Sequence, residues 1–257
     1  MIWTMPLLPI LISLLSITST ADARNHFPSS PGSFYTSILT NLLQSLRLTH
    51  CALSDTTSLP QSTLPTPSEG LSLKFITLGR GTQNYTCATN ANTSAPEAAG
   101  ATATLFDISC LAALDAGANT DEFHSSDQSL LHAVPDMLKP IPLGSTDFLA
   151  TLVNRFTGQN LAIGKHYFTN EGVPFFDLRG FSPDDWIAAK KDSEADAPAK
   201  PGYGITGDAA WLKLKGVEGG IREVYRVHTA GGDPPATCEG MSEVFTVDYS
   251  AEYWLYG

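Results

Sequence analysis

The sequence predicts an all-β domain, an antiparallel β-sandwich or barrel, with an N-terminal helix packed on it. Short runs rich in β-branched and aromatic residues follow residue 70, and Gly, Pro, Asn and Asp separate them. Helical patterns do not alternate with these runs, which argues against a parallel α/β sheet. The chain of 257 residues is 42% hydrophobic, enough to fill the core of such a domain.

Residues 1–23 are predicted to be a secretory signal peptide. The apolar run from Pro6 to Ile17 has the length of a signal-peptide core, and Ala21-Asp22-Ala23 precedes the expected cleavage before Arg24. Because the run is shorter than the roughly 20 residues of a bilayer span, we expect a cleaved leader and not an anchor. The mature protein is therefore predicted to be secreted and extracellular, with no membrane contact after cleavage.

Residues 24–70 are predicted to form the N-terminal helix and a linker. Between Ser33, which can cap the helix, and about Leu48, apolar side chains recur every four residues. The stretch 54–70 is rich in Ser, Thr and Pro, which is typical of an extended linker. The β domain is predicted to occupy residues 71–257.

Six runs in this domain read as strands because they are short, partly alternating and bounded by turn-forming residues. They are residues 71–79, 101–108, 160–168, 172–178, 220–229 and 243–256. The polar stretch 184–203 is predicted to be a long surface loop.

Four cysteines, an even number in a chain with a secretory leader, predict two disulfides. They are Cys51, Cys87, Cys110 and Cys238. Three pairings are open. We favour Cys87 with Cys110, since each borders a strand-like run, which leaves Cys51 with Cys238.

Secretion also gives meaning to two glycosylation sequons, at Asn84 and Asn92. Asn84 lies inside a strand-like stretch. Asn92 lies in a loop and is therefore the better expected acceptor.

Several motifs follow one another in an order that resembles a known family. They are GRGTQNYTC at 79–87, ATLFD at 103–107, GKHYF at 164–168, AWLKL at 210–214, YRVHTAGGDPP at 225–235 and YSAEYWLY at 249–256. Together they resemble a secreted domain-of-unknown-function family of fungi and bacteria, over about residues 67–256. The resemblance implies a secreted β domain without an established activity. Fungal members of that family often carry an automatic malate dehydrogenase label.

The residues do not support that label. A dinucleotide site needs a third glycine and a helix that opens on the pyrophosphate. Gly79-Arg80-Gly81 is followed instead by strand-like residues. We predict no nicotinamide cofactor, and no other cofactor is indicated. The formal net charge of −11 also excludes the basic surface that nucleic acid requires.

No motif of established catalytic or metal chemistry occurs in the sequence. Neither a Gly-x-Ser-x-Gly elbow nor a His-Glu-x-x-His pair is present. Asp121, His124, Asp127 and His132 fall close together, but their spacing fits no closed metal site, and a solvated loop is the better interpretation. The sequence therefore predicts no metal.

Polar residues set in or beside apolar strand runs are the candidate ligand-binding residues, because such side chains either find a partner or face a cleft. They are Gln83, Tyr85, His166, Asp177 and His228. The hypothesis is that their strands are neighbours and that the side chains converge; the alternative is that each is satisfied structurally. Trp186, Trp211 and Trp254 offer a second surface, for sugar stacking, although Trp211 and Trp254 lie in apolar runs typical of a core.

Two classes of function remain. The first is a non-catalytic extracellular module that binds a cell-wall glycan or a small ligand. The second is an extracellular hydrolase that uses His166 or His228 with a carboxylate. An exposed aromatic platform would favour the binding module, whereas a deep cleft containing His and Asp would favour the hydrolase.

Overall fold

The computed structural model describes residues 51, 53, 58–88, 93–117, 129–158, 160–198 and 207–257. All of them belong to one compact unit, residues 38–257. The predicted signal peptide and the predicted helix at 33–48 lie outside the described residues. Within the described part, no helix is both long enough and apolar enough to cross a membrane.

Eight antiparallel strands form a closed barrel, which confirms the predicted all-β class and selects the barrel over the sandwich. The strands are β1 (Leu73–Thr86), β2 (Glu97–Asp107), β3 (Ala162–Phe168), β4 (Pro174–Asp177), β5 (Trp186–Ala195), β6 (Trp211–Gly219), β7 (Glu223–Gly231) and β8 (Val244–Tyr256). Each strand pairs with the next in the chain, and β1 also pairs with β8, so that no edge remains open. Three helices lie between β2 and β3: α1 (Ser109–Gly117), α2 (Leu130–Leu138) and α3 (Leu143–Thr157).

Alternation along each strand divides the buried residues between the two faces of the barrel wall. In β8, Tyr253 belongs to the interior cluster together with Phe176 and Leu214. Its neighbour Trp254 belongs to a second cluster, on the outer face, where helix residues such as Leu131 pack. The barrel therefore has an interior core and an outer core beneath the helices.

The prediction of a surface loop at 184–203 is wrong over its first half, because β5 occupies Trp186–Ala195. Ile187 and Ala189 point into the barrel, but the exposed charges that follow hide this alternation in the sequence. The predicted linker, by contrast, does lack regular secondary structure over residues 58–67. It is nevertheless fixed to the barrel, since Leu64 is buried in the outer core.

The favoured disulfide pairing is also wrong. Cys51 is bonded to Cys110, and Cys87 is bonded to Cys238. The reason is the barrel closure: the end of β1 pairs with the start of β8, which brings the β7–β8 connection beside Cys87. The backbone N–H of Cys87 accordingly donates to the carbonyl of Glu243, at 2.9 Å.

Candidate functional site

The five residues expected to form one site lie on two faces of the barrel wall. His166 contacts Phe176 and Tyr253 in the interior. His228 contacts His132 of α2 and Trp211 of the outer core. The hypothesis that all five side chains converge is therefore not met. Whether any of them binds a ligand remains a prediction.

The interior members are held as parts of a packed core. Gln83, Tyr85 and His166 are each at most 8% exposed. The Tyr85 hydroxyl donates to the carbonyl of Gly232, at 2.7 Å. Arg226 crosses the same interior and donates to the carbonyl of Ala210 through two nitrogens, at 2.8 and 3.2 Å. These contacts match the structural alternative for Tyr85 and Arg226, whereas the buried Nε2 of Gln83 has no hydrogen-bond partner among the described residues.

His166 is a neutral histidine at neutral pH. Its ring stacks on Phe176 with 4.1 Å between centroids, and its Nδ1–H donates to the carbonyl of Phe175 at 3.0 Å. Burial lowers the pKa of His166 to about 4. The hydrogen bond to Phe175 opposes that shift, and the positive charge of Arg226 adds to it.

This lowered pKa predicts a pH-dependent stability. His166 binds a proton near pH 6.5 in the unfolded chain but only near pH 4 in the folded chain. Its neutral ring therefore lowers no stability above pH 6.5, and the free energy of unfolding falls as the pH drops from 6.5 toward 4. The loss should reach about 3 kcal/mol at pH 4. His166→Asn, which can retain the donor to Phe175, should remove this part of the pH dependence in urea unfolding between pH 4 and 7.

A matched control with the opposite sign is His132→Asn. The pKa of His132 is raised, so its contribution is present below pH 6.5 and is lost as the pH rises through the raised pKa. Removing it should make the acid loss steeper. Equal pH profiles for wild type and His166→Asn would contradict the assignment of His166.

The glycine motif at the start of GRGTQNY also belongs to the barrel interior. Gly79 and Gly81 lie in the middle of β1, which continues to Thr86. A Cβ atom on Gly79 would collide with the ring of Tyr253, and one on Gly81 would collide with the backbone of Thr102. Close packing explains these glycines, and the strand offers no helix N-terminus for a pyrophosphate.

His228 reaches the outer face because the strand is irregular at that point. The pairing of β7 with β8 shifts register between Val227 and Ala230, and His228 has φ of 44°, the one positive value among the described non-glycine residues. Strict alternation would place His228 on the same face as Arg226. The bulge turns it instead toward α2 and β8.

On that face, His132, His228 and Glu252 form what we name the outer histidine cluster. The two imidazole rings are stacked, with 3.8 Å between centroids and 12° between planes. The Nδ1–H of His132 donates to Oε1 of Glu252 at 2.8 Å. One ligand atom from each of the three residues lies within 4.8 Å of the other two.

Glu252 is fully buried, so its carboxylate requires hydrogen-bond donors from the protein. The indole N–H of Trp254 donates to its Oε2 at 2.9 Å. Burial lowers the pKa of His132, but the hydrogen bond and charge of Glu252, with the charge of Asp115, outweigh burial and raise the pKa overall. The hydrogen bond between His132 and Glu252 ties α2 to the barrel, and it becomes an ion pair when His132 is protonated.

The sequence interpretation missed this cluster. It considered His132 with Asp121, His124 and Asp127, which lie outside the described residues. His132 itself lies in α2, and its partners come from β7 and β8, far away in the chain. One signal was available: Glu252 is an acid within the apolar run YSAEYWLY, and a buried acid requires a partner.

A second feature lies on the outer face of β3, β4 and β5, where Tyr167, Phe175 and Trp186 form what we name the outer aromatic row. Neighbouring centroids are 5.3 and 5.4 Å apart, and the ring planes differ by 25° and 16°. All three residues are half-buried, neither sealed in a core nor fully exposed. Trp211 and Trp254 are buried in the outer core, as expected from their apolar runs.

Asp177, the remaining predicted site residue, borders this row. Its carboxylate accepts two hydrogen bonds from the guanidinium of Arg179, at 2.7 and 2.8 Å. The guanidinium also lies 5.4 and 5.6 Å from the ring centroids of Phe175 and Trp186. The hydrogen bond from Arg179 lowers the pKa of Asp177, so both groups are charged at neutral pH.

The sequon at Asn84 lies within β1, as the sequence predicted, and its side chain accepts a hydrogen bond from Thr82 at 3.2 Å. Asn92 lies outside the described residues. Glycosylation at either position remains a prediction.

The described part of the chain also contains a cleft of about 300 Å³ between α3 and strands β2 and β3. Its lining includes Asp147, Asn154 and Lys165 but no histidine. This cleft is therefore not the His-and-Asp pocket that a hydrolase would need.

These features define a class of protein: a closed, eight-stranded antiparallel barrel with two disulfides and two unusual outer-face clusters. The chain belongs to the family described as Protein of unknown function (DUF3455), whose model matches residues 67–257. This confirms the resemblance to a family of unknown function. No curated protein and no solved structure matches the chain.

Proposed function

We propose that this protein is a secreted, non-catalytic module that binds a glycan on the outer aromatic row. The observation that carries the proposal is the row itself: three aromatic side chains from adjacent strands, half-exposed on one face of the barrel. Aromatic side chains left at the surface forgo the free energy of burial, and clusters of them mark binding surfaces.

The geometry of the row suits the apolar face of a sugar ring. Stacked carbons touch at about 3.5–4 Å, so centroids more than 5 Å apart mean that neighbouring rings are offset by roughly 4 Å. The offset leaves part of each ring beyond the edge of its neighbour. The guanidinium of Arg179 lies over part of the Phe175 and Trp186 rings, and the half-buried rings offer the remainder to solvent. The C–H groups of a pyranose can pack there, while its hydroxyls remain at the polar rim.

That rim is supplied by the charged pair beside the row. Arg179 offers N–H donors and is the more exposed partner, with 48% of its side chain accessible. Asp177 offers acceptor oxygens and is 26% exposed. A donor and an acceptor at fixed separation can orient sugar hydroxyls, which stacking alone does not do.

The two disulfides support an extracellular location, because such bonds persist in oxidising compartments. The hydrolase alternative has less support. His166 is enclosed in the interior and bonded to a backbone carbonyl. His228 does lie beside the buried Glu252, but these two residues and His132 bring three potential metal-ligand atoms together, which favours a metal site over a hydrolase site.

Glycan binding can be measured by incubating the protein with insoluble chitin, cellulose and β-1,3-glucan, and by a glycan array. We expect the protein to bind at least one of these materials. Trp186→Ala should weaken that binding about tenfold or more, because it removes one end of the row, a contact worth roughly 1.5 kcal/mol. Affinity is measured from depletion isotherms.

Phe148→Ala is the matched control. Phe148 is 60% exposed on α3 and contributes no ring to the row, so its substitution should leave binding unchanged. Failure of the wild-type protein to bind any of the glycans would overturn the proposal. So would equal affinity of wild type and a folded Trp186→Ala variant.

A further inference from the structure

We propose that the outer histidine cluster is a binding site for a divalent first-row transition metal, Zn²⁺ above all. Two imidazoles and one carboxylate are a ligand set that such ions use in proteins, often with a further position left for water. The proposal does not rest on the glycan proposal, since the cluster lies at α2, β7 and β8 and the aromatic row at β3 to β5.

The ligand atoms are close to the spacing that a metal requires. Around Zn²⁺, with bonds of about 2.1 Å, tetrahedral ligands lie roughly 3.4 Å apart. The separations here range from 2.8 Å, for His132 and Glu252, to no more than 4.8 Å. Metal binding would release the Nδ1 proton of His132 to solvent, and small side-chain rotations would then equalise the separations. The rings must also tilt out of their parallel stack, because an imidazole binds a metal in its own plane.

The carboxylate of the cluster is already oriented. Glu252 is fully buried and Trp254 holds its Oε2, which leaves Oε1 directed toward the histidines. Partners of this kind, which fix a ligand without touching the metal, are regular features of protein metal sites. A buried acid placed beside two imidazoles therefore has the surroundings of a ligand.

The two histidines are positioned by separate devices. The hydroxyl of Ser129 caps α2 by accepting from the N–H of His132, and it donates to Asp115 at 2.6 Å. His228 is held at φ of 44°, a left-handed backbone conformation that is unfavourable for a residue with a side chain. Such strain is concentrated at binding and catalytic sites, and here it brings His228 onto the face of His132.

An ion can reach the cluster from solvent. The side chain of His132 is 23% exposed, whereas Glu252 is sealed beneath it. The metal would bind at the boundary between α2 and the barrel. Its free coordination position would face solvent, on the side where His132 is partly exposed.

The test is isothermal titration of the metal-free full chain with Zn²⁺, with Co²⁺ absorption as a spectroscopic readout of coordination. We expect one ion per chain. His228→Ala and His132→Gln should each weaken binding by about 100-fold or more. Trp254→Phe, which removes the bond to Oε2, should weaken it about tenfold, as expected of a positioning residue.

His166→Asn is the control, because His166 lies in the barrel interior with its Nδ1–H bonded to Phe175, and the substitution should have no effect on metal binding. Near-UV circular dichroism establishes that each variant is folded; His132→Gln, at a partly exposed helix position, decides the question if the variants at buried positions do not fold. Absence of Zn²⁺ and Co²⁺ binding to the wild-type chain would overturn the proposal. Unchanged binding in folded His132→Gln, or loss of binding in folded His166→Asn alone, would also overturn it.

Discussion

Replacing Glu223 with glutamine is expected to lower the free energy of unfolding by about 3–5 kcal/mol, because it leaves a buried lysine charge uncompensated. Glu223 and Lys213 are 3% and 2% exposed, and their Oε2 and Nζ atoms are 3.2 Å apart. The measurement is equilibrium unfolding in urea at pH 7, followed by fluorescence.

The effect should be large because Glu223 also anchors the segment before β1. The hydroxyl and backbone N–H of Ser68 both donate to its carboxylate, at 2.6 and 3.1 Å. Lys213 in turn donates to the carbonyl of Thr66, at 2.8 Å. Loss of the carboxylate therefore weakens the attachment of residues 66–68 to β6 and β7.

Two further variants test whether the loss comes from the uncompensated charge of Lys213. Asp192→Asn breaks the pair with Lys215, a surface ion pair on β5 and β6 whose side chains are 24% and 45% exposed, and should have only a small effect on stability. The double variant Lys213→Met with Glu223→Leu removes both buried charges and should recover much of the loss. A cost for Glu223→Gln no larger than for Asp192→Asn would contradict the prediction.

Acid should weaken the same anchor. Burial raises the pKa of Glu223, but the hydrogen bonds from Ser68 and the charge of Lys213 outweigh it, and the pKa lies below its ordinary value of 4.5. The stabilisation is therefore complete at neutral pH. It is lost as the pH falls below 4.5 and through the lowered pKa.

The alternation of side chains predicted most of the barrel because this signal is local. Six of the eight strands correspond to runs that the sequence marks as strands. β5 was missed because its second half is solvated on both sides, so that Lys190 and Lys191 interrupt the pattern. Helix α2 was missed because it contains Pro135, which normally argues against a helix interior.

The candidate sites were less predictable because they depend on which strands are neighbours. Tyr167, Phe175 and Trp186 meet across three strands, and only the register of β3, β4 and β5 places them on one face. Periodicity failed at His228, since a bulge reverses the face on which a side chain lies. No rule of spacing would have connected His228 to His132 in a helix nearly one hundred residues earlier.

The disulfide between Cys87 and Cys238 is a further consequence of closure, and its removal should be as damaging as the loss of Glu223. The bond spans 151 residues, and closing a loop of that length restricts the unfolded chain by an amount worth about 5 kcal/mol. We expect the double variant Cys87→Ala with Cys238→Ala to lose stability approaching this value in urea unfolding.

The pairing itself can be checked with one further substitution. In the folded chain Cys87 and Cys238 are 7% and 4% exposed, so a thiol left by a single substitution would be detected only after denaturation. Cys87→Ala should then yield one free thiol, and alkylation followed by peptide mapping should place the label on Cys238. A label on Cys110 would mean that the local pairing had formed instead. That result would be incompatible with the closure of β1 on β8, because the closed barrel places Cys87 beside the segment that contains Cys238.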